Sequence, residues 1–128
     1  MKLLEKIESE FGKNDLSANV LIQINIGKEE SKSGIYEEEL ENMLSAIEEC
    51  KYVKVKGIMV IIPKGNEKEN RYYFSRTKTI FDELKQRKFK NISMEILSMG
   101  MTNDYKVAIQ EGANLVRIGS GIFGLREK

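Results

Sequence analysis

The sequence predicts an α/β domain built on a parallel sheet, and three observations carry that expectation. Apolar and amphipathic runs alternate as one helix followed by four strand–loop–helix units of roughly 25–35 residues each, a spacing that suits crossovers between parallel strands. The strand-like runs are nearly continuous in apolar residues, as in sheets covered by helices. No Gly/Ser-rich linker or low-complexity stretch breaks the 128 residues, so 1–128 reads as a single domain able to bury a core. The units do not align closely enough to count as a sequence repeat.

Residues 2–11 place Leu3, Leu4, Ile7 and Phe11 at helical spacing, and Gly12 closes the run. Val20-Leu21-Ile22-Gln23-Ile24-Asn25-Ile26 reads as a buried strand ended by Gly27, with a charged loop from Lys28 to Gly34 behind it. Glu37 to Cys50 reads as a helix with Leu40, Met43, Leu44 and Ile47 on one face. Its Glu37-Glu38-Glu39 start suits the positive end of a helix dipole. Val53 to Ile62 is the second strand, interrupted at Gly57 and stopped by Pro63, the only proline. A polar loop, Lys64 to Glu69, leads to a long helix whose apolar face carries Tyr73, Phe74, Thr77, Ile80, Phe81 and Leu84. Tyr72, Tyr73 and Phe74 are consecutive, so at least one must be exposed or sit at an interface. Residues 92–97 form the third strand. Thr102 or Asn103 caps a short helix containing Tyr105, Val107, Ala108 and Ile109, with Asp104 at its start and Gly112 near its end. Asn114 to Ile118 is the fourth strand, and Ile122-Phe123-Gly124 begins a final turn.

Composition excludes several function classes. Twenty-one basic and twenty acidic residues leave a net charge of +1, which points to neither a nucleic-acid nor a membrane partner. The absence of His removes Ser-His and Cys-His triads and most zinc sites. Cys50 is the single cysteine, so no internal disulfide forms, and it reads as a buried thiol at a helix end in a reducing, cytoplasmic setting. The N-terminus lacks the apolar core of a signal peptide, and the longest apolar run, Gly57 to Pro63, is too short to span a bilayer.

Two strand ends carry the chemistry. One is Ile96-Leu97-Ser98-Met99-Gly100-Met101-Thr102-Asn103-Asp104-Tyr105, the other Leu115-Val116-Arg117-Ile118-Gly119-Ser120-Gly121-Ile122-Phe123-Gly124. Each reads as a short apolar strand opening into a turn of small residues with a helix start behind it. Two such turns side by side can collect backbone N–H groups around a phosphate. Arg117 stands just before the second turn, where a fixed cation reaches the same ligand. Gly119-Ser120-Gly121 is not a dinucleotide fingerprint, because it lacks the third glycine and the acidic residue that follows.

These residues resemble the pyridoxal phosphate-binding homeostasis proteins. Ser98 to Tyr105 is similar to that family's Ser-Met-Gly-Met-Ser-x-Asp, and Val116 to Gly124 to its Val-Arg-Ile-Gly-Thr-x-Ile-Phe-Gly. Leu21-Ile22-Gln23-Ile24-Asn25, Glu30-Ser31-Lys32-Ser33-Gly34 and Gly57-Ile58-Met59 match its other strand and loop patterns. The resemblance runs from about Leu3 to Arg126 in four ordered motifs.

The resemblance implies a partial TIM (β/α)8 barrel of the alanine racemase N-terminal type, holding pyridoxal 5′-phosphate at the C-terminal ends of its strands. It places this chain from the helix before the fifth strand onward, as a truncated C-terminal half without the Val-Ser-Lys-like segment that supplies the cofactor lysine. Neither Lys32 nor Lys106 matches that position. Barrels of this class often bind phosphate with the loops after the last two strands. Ser98 then donates its hydroxyl to a phosphate oxygen, and Gly119 and Ser120 contribute N–H groups. Gly100 lets the backbone approach closely. Arg117 resembles the arginine that faces the pyridine nitrogen. A guanidinium stays protonated and so keeps that nitrogen unprotonated, which weakens the ring as an electron sink. Met59 and Ile61 share one strand face and either pack against the ring or belong to the core. Asn25 reaches the pocket or a neighbouring strand end.

The expected role is non-catalytic: pyridoxal 5′-phosphate binding, weak or non-covalent in this chain, in cytosolic cofactor homeostasis. One alternative is a fragment of an amino-acid racemase of the same barrel class. Another is a half barrel that completes itself by self-association or with a complementary N-terminal half, because a half barrel has two unpaired sheet edges. Read without the resemblance, Ser98 to Met101 is a plain strand-to-helix turn and Arg117 a surface ion-pair residue.

Overall fold

A computed structural model describes residues 2–28, 34–101 and 104–117. Its elements run α1 (Lys2–Lys13), β1 (Ala18–Ile24), a 3-10 turn (Glu37–Glu39), α2 (Leu40–Glu48), β2 (Val53–Val60), α3 (Glu67–Gln86), β3 (Ile92–Met101), α4 (Tyr105–Gln110) and β4 (Leu115–Arg117). The four strands form one sheet in the order β1-β2-β3-β4, and every pair is parallel. This is the α/β architecture of a partial (β/α)8 barrel.

One face of the sheet is packed by the helices. Leu40, Leu44 and Ile47 of α2 and Phe74, Ile80, Phe81 and Leu84 of α3 share a buried core with Ile22, Ile24, Ile58, Val60, Leu97 and Met99. Helix α3 starts in a reciprocal cap: Glu69 N–H donates to Asn66 Oδ1 at 2.9 Å, and Asn66 N–H donates to Glu69 Oε1 at 3.0 Å. Of the three consecutive aromatics, Phe74 is 1% exposed and Tyr72 65%, as one helix face demands.

The strands are not uniform ladders. Val20 pairs with Val55 but Leu21 with Gly57, and Val55 pairs with Ile92 but Gly57 with Ile96. Strand β2 therefore carries an extra residue, Lys56, against β1, and β3 carries two more against β2. Each irregularity reverses the in–out alternation. Val53 and Val55 are buried below it, Ile58 and Val60 above; in β3 the change runs from Ile92 and Met94 to Leu97 and Met99. Lys56 and Glu95 stand at these irregular points and pair at 3.7 Å, with Ser93 Oγ donating to Glu95 Oε2 at 2.7 Å.

A device at the N-terminal end of the sheet recurs one unit apart. The Glu8 carboxylate on α1 accepts the N–H groups of Lys51 (2.5 Å), Tyr52 (2.8 Å) and Val53 (3.1 Å), where the chain turns into β2. The Glu48 carboxylate on α2 accepts the N–H groups of Lys90 and Asn91, both at 2.6 Å, where the chain turns into β3. The sequences of the units do not align, but their helices fasten the next unit's strand in the same way. Burial pushes the Glu8 pKa up, yet the three backbone N–H groups and the Lys54 ammonium outweigh it and hold the carboxyl below its ordinary value.

A depressed folded-state pKa stabilises above the unfolded pKa, and the contribution is lost as pH falls through the folded one. Glu8→Gln is expected to lower stability at pH 7 by about 1 kcal/mol, after allowing for solvent screening, or about 3 °C in Tm. The gap between variant and wild type should narrow as pH falls below the ordinary glutamate range and through the lowered folded-state pKa. Thermal melts across pH measure both.

Several boundaries depart from the sequence expectation. Strand β1 sits two residues earlier than expected, because Asn25 N–H turns away to bond Ile35 O at 2.7 Å. The helix expected from Glu37 opens as a 3-10 turn, with Tyr36 N–H donating to Glu39 Oε1 at 2.9 Å. Strand β3 continues to Met101, so Ser98 to Met101 is strand and not the small-residue turn expected there. Pairing with β4 at Ser98–Leu115 and Met101–Arg117 extends it. Cys50 lies just beyond α2, half-buried; burial first, and then Glu8, pushes its thiol pKa up, which fits an unreactive thiol. Among the described residues no helix is long and apolar enough to cross a membrane, and no three His, Cys, Asp or Glu side chains group to hold a metal.

Candidate functional site

A row of register partners crosses the sheet near its C-terminal end: Gln23 on β1, Met59 on β2, Ser98 on β3 and Leu115 on β4. Ile58 and Leu97, beside Met59 and Ser98, belong to the helix-covered core. By alternation, Met59 and Ser98 project to the opposite face, the inner wall of a barrel. Ile61 follows Met59 at the same period and lies just past the end of β2. The phase changes at Lys56 and Glu95 produce this orientation, because an unbroken alternation from Val53 and Ile92 would turn Met59 and Ser98 toward the helices. Ser98 is 2% exposed.

Two residues beyond Ser98, Gly100 takes φ +104°, a conformation that side chains other than glycine's disfavour. It also allows a close approach. A Cβ at Gly100 would lie 2.7 Å from Ala108 Cβ and 3.3 Å from both Tyr105 Cα and Val116 Cγ1. Helix α4 therefore rests directly on the end of β3. Asp104 closes the corner: Met101 N–H donates to its Oδ1 at 2.6 Å, and Asp104 N–H donates to Met101 O at 3.1 Å. Asp104 is the N-cap position of α4, the helix-start role its sequence context suggested. Thr102 and Asn103 lie outside the described residues.

Ser98, Gly100, Met59 and Ile61 thus gather at the C-terminal ends of two adjacent strands. The β4 backbone brings Arg117 into register with Met101, three residues beyond Ser98. Gly119 and Ser120 lie outside the described residues. Asn25 is 3% exposed, at the end of β1. A separate cleft of about 590 Å3 opens between the starts of α3 and α4, lined by Gly65, Glu67, Asn70 and residues 104–107, and Ser98 is not part of it.

Sequence reading missed Asn114. It was assigned only as the first residue of a strand, yet its side chain bridges two backbone groups of β3. Its Oδ1 accepts Leu97 N–H at 2.8 Å, and its Nδ2 donates to Glu95 O at 2.8 Å. Its own N–H donates to Leu97 O at 3.1 Å. A lone Asn before a strand reads as a turn residue, and only the fold places it over the β3 irregularity.

Chemically, the described part of this site places a buried hydroxyl beside apolar side chains, next to a glycine against which α4 packs.

Comparisons with known proteins identify the family. Residues 1–127 match the family described as "Alanine racemase, N-terminal domain". A protein of Aquifex aeolicus (strain VF5) named "Pyridoxal phosphate homeostasis protein" is 41% identical over 126 residues, which are 98% of this chain and 54% of the relative. A protein of the same name from Haemophilus influenzae is 40% identical over 126 residues, 98% of this chain and 53% of the relative. The chain thus spans about half the length of the curated relatives it matches. Among solved structures, PipY of Synechococcus elongatus PCC7942 without PLP superimposes with TM-score 0.86 at 29% identity, over 96% of this chain and 57% of PipY. The same protein with PLP bound gives 0.81 over the same shares.

Proposed function

Because the chain belongs to the alanine racemase N-terminal domain family, we propose that it carries the phosphate and pyridine-nitrogen side of a pyridoxal 5′-phosphate site, in cytosolic cofactor homeostasis and without catalysing a reaction. The observation that carries the proposal is the placing of Ser98 on the inner wall, at 2% exposure, beside the glycine approach at Gly100. The relatives' names and the PLP-bound PipY structure support it.

In this reading Ser98, Gly119 and Ser120 hold the phosphate and Arg117 faces the ring nitrogen. Gly100 supports the site from behind, by letting α4 pack against the end of β3, while Met59 and Ile61 give the ring an apolar wall. The cofactor supplies an aldehyde and an electron-withdrawing ring. This chain's own residues bind and orient it, and Arg117 keeps its nitrogen free of a proton. Residues 1–128 act as one partial-barrel domain, and binding is weak and non-covalent because no lysine of this chain matches the family's anchoring position. Strands β1 and β4 are the edges of the described sheet, and Leu115 on β4 is 46% exposed. Self-association or a complementary N-terminal half covers those edges.

Titration with pyridoxal 5′-phosphate, followed by absorbance, should show saturable binding that inorganic phosphate competes away and dialysis reverses. Ser98→Ala should weaken it about tenfold, the worth of one hydrogen bond to an anion at the low end. Equal affinity for pyridoxal lacking the phosphate would refute the phosphate reading. Stoichiometric labelling of one lysine after borohydride reduction would refute the non-covalent one.

A further inference from the structure

We propose that Asn114 is a positioning residue for the site, setting the register in which the β4 backbone pairs with β3 up to Arg117. The inference rests on the reading given under Proposed function. Strand β4 is only three residues long, so its own ladder is a weak guide to register. Its partner β3 shifts register against β2 between Ile92 and Ile96 and against β4 between Ser98 and Met101, and Glu95 and Leu97 lie before Ser98, the first residue that pairs with β4. Asn114 bonds both with one planar amide, accepting from Leu97 at 2.8 Å and donating to Glu95 at 2.8 Å, while its backbone N–H meets Leu97 O at 3.1 Å. The three bonds are made one residue before the Ser98–Leu115 pair.

A slip of β4 by one residue would undo its pairing with β3 at Ser98–Leu115 and Met101–Arg117 and reverse the alternation along β4. No amide-free side chain prevents the slip equally well, because the clamp needs a donor and an acceptor in one plane. Leu97 is 0% exposed, so its N–H would be left buried and unpaired without Asn114. The amide is thus coupled to the site through backbone geometry, with no contact to the cofactor assigned to it.

The test uses the full chain as wild type, Asn114→Ala, Asn114→Asp and, as a control fastened at the opposite end of the sheet, Glu8→Gln. Two quantities are read at pH 7: amide hydrogen exchange at residues 97 and 115–117, and the pyridoxal 5′-phosphate dissociation constant. Both Asn114 variants should exchange those amides at least tenfold faster and bind at least tenfold more weakly than wild type, and Glu8→Gln should do neither. Asn114→Asp separates a clamp from simple packing, since it keeps the shape but cannot donate to Glu95 O. Wild-type exchange in Asn114→Asp would overturn the proposal, and so would equal losses in Glu8→Gln. Faster exchange in the Asn114 variants of a wild type that binds no pyridoxal 5′-phosphate would uphold the register role and defeat the cofactor reading alone.

Discussion

Gly57→Ala is expected to destabilise the protein by about 3–5 kcal/mol, the top of the range for a single substitution and a large share of a typical domain's total. The cause is backbone against backbone. A Cβ at Gly57 would collide with the carbonyl oxygen of Ile96, with the Ile96 carbonyl carbon and nitrogen close behind. A flexible side chain could swing aside, but a strand's peptide group can retreat only by opening the ladder. That ladder joins β2 to β3 at Gly57–Ile96, Ile58–Leu97 and Met59–Ser98. The methyl group therefore pushes apart the two strands that carry Ser98 and Met59. Urea melts should show a midpoint far below wild type, and Gly57→Val should not fold. A wild-type midpoint for Gly57→Ala would show that the close approach is not a feature of the folded chain.

Asn91→Ala ranks next, at about 2–4 kcal/mol or about 10 °C in Tm. Asn91 is 2% exposed and uses its whole amide. Its Nδ2 donates to Ile47 O and to Cys50 O, both at 2.7 Å, and its Oδ1 accepts from Lys54 Nζ at 2.7 Å. The truncation removes the side-chain donor from both carbonyls and the acceptor from Lys54; Ile47 O keeps the Cys50 N–H at 3.0 Å, and Cys50 O loses the donor it has in the half-buried turn after α2. Asn91→Asp should be no better, although it is nearly isosteric, because a carboxylate presents oxygen to those carbonyls. A melt within 2 °C of wild type for both variants, where about 10 °C is expected, would show that the network is dispensable.

Periodicity made most of the elements legible. The apolar face of α3 is the one read from Tyr73, Phe74, Thr77, Ile80, Phe81 and Leu84; Tyr73 is half-buried at its edge and the other five are buried. Pro63 follows the end of β2, as a residue without an N–H should. What periodicity missed is what links residues far apart. Glu8 and Glu48 look like ordinary solvated helix carboxylates, and their partners lie more than forty residues away. The phase changes at Lys56 and Glu95 are invisible because Lys, Gly and Glu in a strand suggest only a weak segment. Of the candidate site, Ser98 and Gly100 could be picked out because small residues at a strand end are unusual. Met59 and Ile61 could be put on one strand face but not aimed, because the inner direction of Met59 and Ser98 depends on irregularities that only the assembled sheet reveals.

The carboxylate fastenings at Glu8 and Glu48 bear on how the molecule comes apart. Each spans a strand: α1 precedes β1 but grips the start of β2, and α2 precedes β2 but grips the start of β3. The units overlap like roof tiles, so none can lift away without loosening its neighbour. Calorimetry should accordingly record one heat-absorption peak, with no shoulder for an early-melting first unit.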